Sequence, residues 1–164
     1  MRLGDGRLDV QWVDDLPKVI KGVYHCLKHD GIFYFTMFGQ DTFKELFESL
    51  GHAKAKSKEY SIRRLYSQKS IEEALKQSGF ETYSIEEEKI TTHFPDMLSL
   101  IKWIKNIGAN QLERDFFVGP DLIERANIFY EQKFRERTGV KVSFQVFWIK
   151  AIKNGNASSQ KHKK

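Results

Sequence analysis

Alternation of apolar and polar residues divides the chain into helices and strands. A short strand is predicted at about Leu8–Trp12. Leu16, Val19, Ile20, Val23 and Leu27 then recur at helical spacing between Asp14 or Asp15 and the breaker His29-Asp30-Gly31. An aspartate at the start suits the positive end of the helix dipole. Ile32–Phe38 is a near-continuous apolar run, the pattern of a parallel-sheet strand covered by helices on both faces. Phe43, Leu46, Phe47 and Leu50 mark a second amphipathic helix, and the polar stretch Lys54–Arg64 reads as an exposed connection. Ser67 or Ser70 can cap a third helix, with Ser70 and Glu73 spaced as a capping box, and Gly79 ends it before a strand over Phe80–Phe94.

Asp96 opens a helix whose Met97, Leu100, Ile101, Ile104 and Ile107 share one side, up to Gly108. Pro120 or Asp121 starts a longer one through Leu122, Ile123, Ala126, Phe129, Tyr130 and Phe134. These two are expected to pair. A last strand places Val140, Val142, Phe144, Val146 and Trp148 inward, with Phe147 and Ile149 signalling cover on both faces at its far end. Residues 1–152 therefore read as one α/β domain, and residues 153–164, lacking large apolar side chains, as a disordered lysine-rich tail.

Charge changes this picture little. Four of the lysines behind the formal net charge of +5 lie at or beyond Lys153, leaving +1 for residues 1–152, so the body is not a basic protein and nucleic-acid binding is left to the tail alone. No basic-aromatic alternation marks a single-strand platform. A single cysteine, Cys26, excludes an internal disulfide and reads as a half-buried reduced thiol. His25, His29, His52, His93 and His162 lack metal-ligand spacing. No apolar run has the length of a membrane span, and the start carries no secretory or transit pattern, so the expected compartment is the cytoplasm.

Several segments resemble, in order, the malonyl-acyl-carrier-protein O-methyltransferases of biotin synthesis. They are Val10-Gln11-Trp12 with Asp15-Leu16-Pro17, the turn Leu27–Gly31, Phe38-Gly39-Gln40-Asp41-Thr42-Phe43-Lys44-Glu45-Leu46, and Ser78-Gly79-Phe80. Phe94-Pro95-Asp96, Lys105–Asn110 and Ser143-Phe144-Gln145-Val146 complete the series. The related mitochondrial complex I assembly factor that hydroxylates an arginine shares the Asp-Leu-Pro and Phe-Gly-x-Asp-Thr landmarks. The Lys-x-Ile-Gly-Ala sequence and the terminal strand favour the biotin enzyme.

The resemblance implies the C-terminal half of a Rossmann-like class I methyltransferase, with residues 8–12, 32–38, 80–94 and 140–150 as strands four, five, six and seven. The last runs antiparallel between the fifth and sixth, giving the order 4-5-7-6 with flanking helices and a helical lid pair. The family's first three strands, which carry the glycine-rich S-adenosylmethionine turn, have no counterpart, and Gly4-x-Gly6 lacks a preceding strand. The resemblance places Gln11 and Trp12 at the cofactor's edge and Phe38 and Gly39 at the acceptor pocket. Asp41 reads more simply as the cap of the following helix. Lys102, Lys105, Arg114 and Arg125, around the lid helices, are candidates to meet an acidic acyl carrier protein.

Methylation of a malonyl carboxylate, carried on acyl carrier protein or on coenzyme A, needs no protein nucleophile and no base, since that group is ionised at neutral pH. No catalytic residue or metal is expected. Without its cofactor half the chain is expected to be inactive alone, its exposed sheet edge covered by the missing half or by a homodimer. The alternative is a non-catalytic binding module or assembly factor.

Overall fold

The computed structural model describes residues 15–54, 65–106 and 119–155. Outside them lie the strand predicted at 8–12, Gly4-x-Gly6, most of the 54–64 connection, Ile107–Gly108 and residues 156–164. The described elements are α1 (Leu16–Cys26), β1 (Ile32–Phe38), α2 (Lys44–Lys54), α3 (Gln68–Ser78), β2 (Thr82–Phe94), α4 (Met97–Asn106), α5 (Pro120–Phe134), β3 (Arg135–Glu136) and β4 (Gly139–Ile152). The long strands are hydrogen-bonded in the order β1-β4-β2, with β3 pairing β4. Thus the last strand lies between the two that precede it, as the 5-7-6 portion of the expected order requires. Two compact units divide the long strands between them, unit one being Met1–Met37, Ser67–Glu87 and Phe147–Lys164, and unit two Phe38–Tyr66 and Glu88–Val146.

In unit one, Asp15 caps α1 by accepting the Lys18 N–H at 3.0 Å, and Pro17 fits the first turn, where no intrahelical donor is needed. Leu16 and Ile20 are fully buried on the face that packs against α3. Ser67 caps α3 by accepting the Ser70 N–H at 3.1 Å. Ser70 thus lies inside the helix, and the Ser70–Glu73 capping box is not used. Gly79 ends the helix at φ 101, where a Cβ would stand 2.9 Å from the Tyr24 ring. Behind it Phe80 is fully buried, edge-on to Tyr24 at 5.0 Å and stacked with Phe33 at 6.4 Å.

The turn into β1 is a bulge. Asp30, at φ 61, donates its N–H to Lys153 O at 2.8 Å, while Lys153 N–H donates to Gly31 O at 3.0 Å, so two residues oppose one. Lys153 also points its Nζ at the last carbonyls of α1, Tyr24 O and Leu27 O, each at 2.8 Å, and lies 4.7 Å from the Tyr24 ring centroid. The first residue assigned to the tail is therefore built into the fold.

Continuing from the Gly31–Lys153 pair, antiparallel register sets Phe33, Phe35 and Met37 on one face with Ala151, Ile149 and Phe147, and all but the half-buried Phe33 are buried. The opposite face carries Ile32 and Tyr34, 55% and 61% exposed. This corrects the expectation of cover on both faces of β1. Among the described residues of unit one, the ring contacts from α1 and α3 run through Tyr24 and Phe80 to Phe33, on the buried face alone. It also corrects β4, where Val140 and Val142 are buried at the start but Gln145, Phe147, Ile149 and Ala151 thereafter, leaving Trp148 38% exposed. The side that is covered switches along the strand, so one alternation cannot describe it. Cys26, expected half-buried, is exposed.

In unit two, Asp96 caps α4 by accepting the Ser99 N–H at 2.6 Å. Hydrogen bonds from Ser99 hold the Asp96 carboxyl below its ordinary value. A depressed folded-state pKa gives stability that is present above the unfolded value and lost as pH falls. Asp96→Ala is therefore expected to cost about 1 kcal/mol at pH 7, the usual worth of a cap, and progressively less as pH falls through the folded-state value, read by urea denaturation over an acid pH series. The long helix α5 packs on α4 as expected but more extensively on α2. There His52 stacks on Phe129 at 4.0 Å, and Lys133 bonds Glu48 at a half-exposed edge where such a pair is worth little.

Glu86, Glu87 and Glu88 are exposed along β2, an edge strand in the described sheet, where charge discourages unwanted strand pairing.

Candidate functional site

The segment from Phe38 to Glu45, at the end of β1 and the start of α2, is tied to residues 143–145 of β4 by bonds that span the sequence. Gly39 N–H donates to Gln145 O at 2.8 Å, and Phe43 N–H to Ser143 O at 2.8 Å. Asp41 N–H donates to Gln145 Oε1 at 3.0 Å. Thr42 Oγ1 donates to Gln145 O and accepts from Gln145 N–H, both at 3.0 Å. Glu45, only 2% exposed, accepts the Ser143 N–H at 3.0 Å and the Ser143 hydroxyl at 2.5 Å. A buried carboxylate is tolerated when charge-assisted bonds replace its water.

These bonds hold an unfavourable backbone. Phe43 has φ 59, a left-handed conformation that bulky residues seldom adopt, yet its side chain is 1% exposed. Its ring is edge-on to Phe144 at 5.1 Å and to Trp103 at 6.4 Å. Trp103 in turn meets Phe144 at 5.8 Å and Phe94 at 5.7 Å, and Phe38 lies 5.8 Å from Phe144. Tyr130, fully buried, donates its hydroxyl to Lys141 O at 2.8 Å. Burial, and secondarily the Glu45 charge, pushes its pKa far up, so it remains a neutral donor. The region is thus a rigid aromatic and hydrogen-bonded floor at the end of β1.

Solved structures of similar fold include a Bacillus halodurans protein, itself only provisionally named a methyltransferase, with a TM-score of 0.52 and 16% identity. The alignment covers 90% of this chain and 67% of that one. The YcgJ protein of Bacillus subtilis aligns with a TM-score of 0.53 and 14% identity over 90% of this chain and 61% of its own. The likeness shows that this chain shares the α/β fold of these two proteins. No family model matches the chain.

Among curated proteins, the chain is 29% identical to the malonyl-[acyl-carrier protein] O-methyltransferase of Bacillus anthracis, over 88% of this chain and 55% of that relative. It is 36% identical to the Nitrosospira multiformis protein of the same name over 63% of this chain and 33% of the relative. The mouse mitochondrial arginine-hydroxylase NDUFAF5 is 27% identical over 85% of this chain and 43% of its own length. The chain spans about half the length of the curated relatives it matches.

The main chain at 39–43 offers no open donor to a ligand. Every backbone N–H from Gly39 to Phe43 is already spent: Gln40 donates to Tyr66 O at 3.2 Å, Thr42 to Gly39 O at 3.0 Å, and the other three to Gln145 and Ser143 as above. The described residues also contain no group of three or more His, Cys, Asp or Glu that could hold a metal ion.

Of the expected site residues, Phe38 and Gly39 lie at this floor, Gly39 buried and Phe38 half-buried. Lys102 and Lys105 stand exposed one turn apart on α4, and Arg125 is exposed on α5. Gln11, Trp12 and Arg114 lie outside the described residues. Asp41 stands three residues before α2, outside its N-cap position, and contributes its backbone N–H instead.

The clamp residues Thr42, Glu45, Ser143 and Gln145 did not stand out as interacting groups in the sequence. The available signal was that both segments carrying them are landmarks of the same family, separated by about a hundred residues. No helix among the described residues is long and apolar enough to cross a membrane.

Proposed function

We propose that this chain is the acceptor-side part of an S-adenosylmethionine-dependent O-methyltransferase whose substrate is the malonyl carboxylate carried on acyl carrier protein. The supporting observation is that two segments resembling this family, 38–46 and 143–146, bond each other in the structure and fix the end of β1. Sequence similarity to two malonyl-[acyl-carrier protein] O-methyltransferases agrees with it.

On this reading the Phe38–Phe43 segment supplies position and dry apolar surface. Methyl transfer to an ionised carboxylate needs in-line alignment and exclusion of water, not a proton acceptor. When bound, the cofactor supplies the methyl group. The chain spans 55% of the Bacillus anthracis relative, and on this reading the cofactor's cradle is formed mainly outside the 38–45 and 143–145 segments. Lys102, Lys105 and Arg125 offer positive charge for an acidic carrier protein, an attraction that favours encounter and weakens with salt.

Titration with malonyl-acyl carrier protein tests this. The account expects saturable, salt-sensitive binding that drops when Lys102→Glu and Lys105→Glu are combined, with a thermal melt of the variant run beside it because Lys102 acts on the Asp96 cap. Indifference to that double charge reversal would remove the carrier-docking role. Absence of binding would remove the acceptor-side assignment itself.

A second reading, an assembly factor acting on a protein partner, is supported by the comparable match to the mouse arginine-hydroxylase, 27% identical over 85% of the chain. It predicts no preference for malonyl-loaded over unloaded carrier.

A further inference from the structure

Two costs meet at the turn between β1 and α2. Phe43 takes φ 59, a conformation that bulky residues disfavour, and Glu45 keeps a carboxylate at 2% exposure. Stability does not demand either, since apolar groups of matching shape in place of a buried polar pair are often neutral for folding. Strained backbone persists where surrounding bonds over-determine it, and it clusters at functional sites.

Ser143 supplies those bonds. It gives Glu45 its N–H at 3.0 Å and its hydroxyl at 2.5 Å, while its carbonyl oxygen takes the Phe43 N–H at 2.8 Å. One residue of β4 therefore fixes both the strained residue and the first turn of α2. Held this way, the Phe43 ring sits edge-on to Phe144 and Trp103, and Phe144 carries the contact on to Phe38. Relaxation of Phe43 to a negative φ would swing its Cα–Cβ bond and take the ring out of that group.

We infer that Glu45 is a positioning residue: paired with Ser143, it holds the Phe43 ring so that the wall made with Phe144 and Trp103 seats the methylene and thioester of a malonyl group. Glu45 acts through Phe43 and itself touches no substrate. The inference rests on the acceptor-side reading and adds which residues make that side selective.

Titration of the full chain with malonyl-loaded and unloaded acyl carrier protein tests it, the readout being the ratio of the two affinities. Ser143→Ala removes the hydroxyl bond and keeps both main-chain bonds, with folding checked by circular dichroism. It is expected to lose the preference for loaded carrier while holding unloaded carrier as the parent does. Glu45→Gln is expected to behave likewise, and Ser143→Thr, which restores a hydroxyl, to recover the preference. An unchanged preference in either of the first two variants, or no recovery in Ser143→Thr, would overturn the inference and leave the acceptor-side reading standing. Loss of both affinities together would overturn it too, by reducing the pair to a support of the fold. A parent chain that holds both carriers equally, or neither, would overturn the acceptor-side reading and the inference with it.

Discussion

Phe80→Ala is expected to lower folding stability by about 3–5 kcal/mol, the usual cost of deleting a fully buried phenylalanine. Phe80 ends the α3 turn, is completely inaccessible, and joins the Tyr24 ring of α1 to the Phe33 ring of β1. Its loss opens a cavity that the capped helices α1 and α3 cannot close without giving up their own contacts. Urea denaturation of the purified chain reads the effect as a lower midpoint. Tyr34→Ala, on the exposed face of the same unit, is expected to shift it by less than about 0.5 kcal/mol in the isolated chain. Equal effects at the two positions would contradict the assignment of buried and exposed faces.

The second large effect lies in unit two. Gly139 begins β4 at φ 140, and a Cβ added there would stand 2.3 Å from the Phe94 carbonyl oxygen. That obstruction is backbone and cannot rotate away. Gly139→Ala is expected to cost about 2–5 kcal/mol from combined strain and overpacking, by forcing apart the end of β2 and the start of β4. Hydrogen exchange should show faster exchange near His93, Phe94 and Val140 before other regions respond. A variant as stable as the parent would mean that the close approach at Phe94 is not present in solution.

How legible these features were depended on their range. Asp14 or Asp15, and Asp96, could be placed at helix starts because that choice is decided within about four residues, and in the structure the Asp15 and Asp96 carboxylates each accept an N–H of the first turn. Ser67 and Ser70 satisfy the same local rule. What separates them is the extended backbone at Ser67, φ −79 and ψ 160, set by the chain entering the helix. The run Ile32–Phe38 gave the strand's limits but could not tell that Ile32 and Tyr34 face outward, because covering a face is a property of other elements.

Trp148 shows the same limit. Residues 146–149 are all apolar, so either alternation was admissible until Phe147 and Ile149 were found on the buried side. At the candidate site, Glu45 reads locally as an acid in the first turn of a helix. Its burial makes sense only with Ser143, ninety-eight residues away, supplying two donors. Order and spacing of the family landmarks therefore indicated the fold correctly, while the bonds between them required the structure.

The central proposal is that the 38–45 and 143–145 segments form the acceptor side of a methyltransferase site and do not themselves hold the cofactor. Calorimetric titration of the folded chain with S-adenosylhomocysteine, after circular dichroism confirms folding, tests it most directly. The account predicts no heat of binding, in keeping with the engaged main-chain donors from Gly39 to Phe43. Saturable binding at micromolar affinity would contradict it.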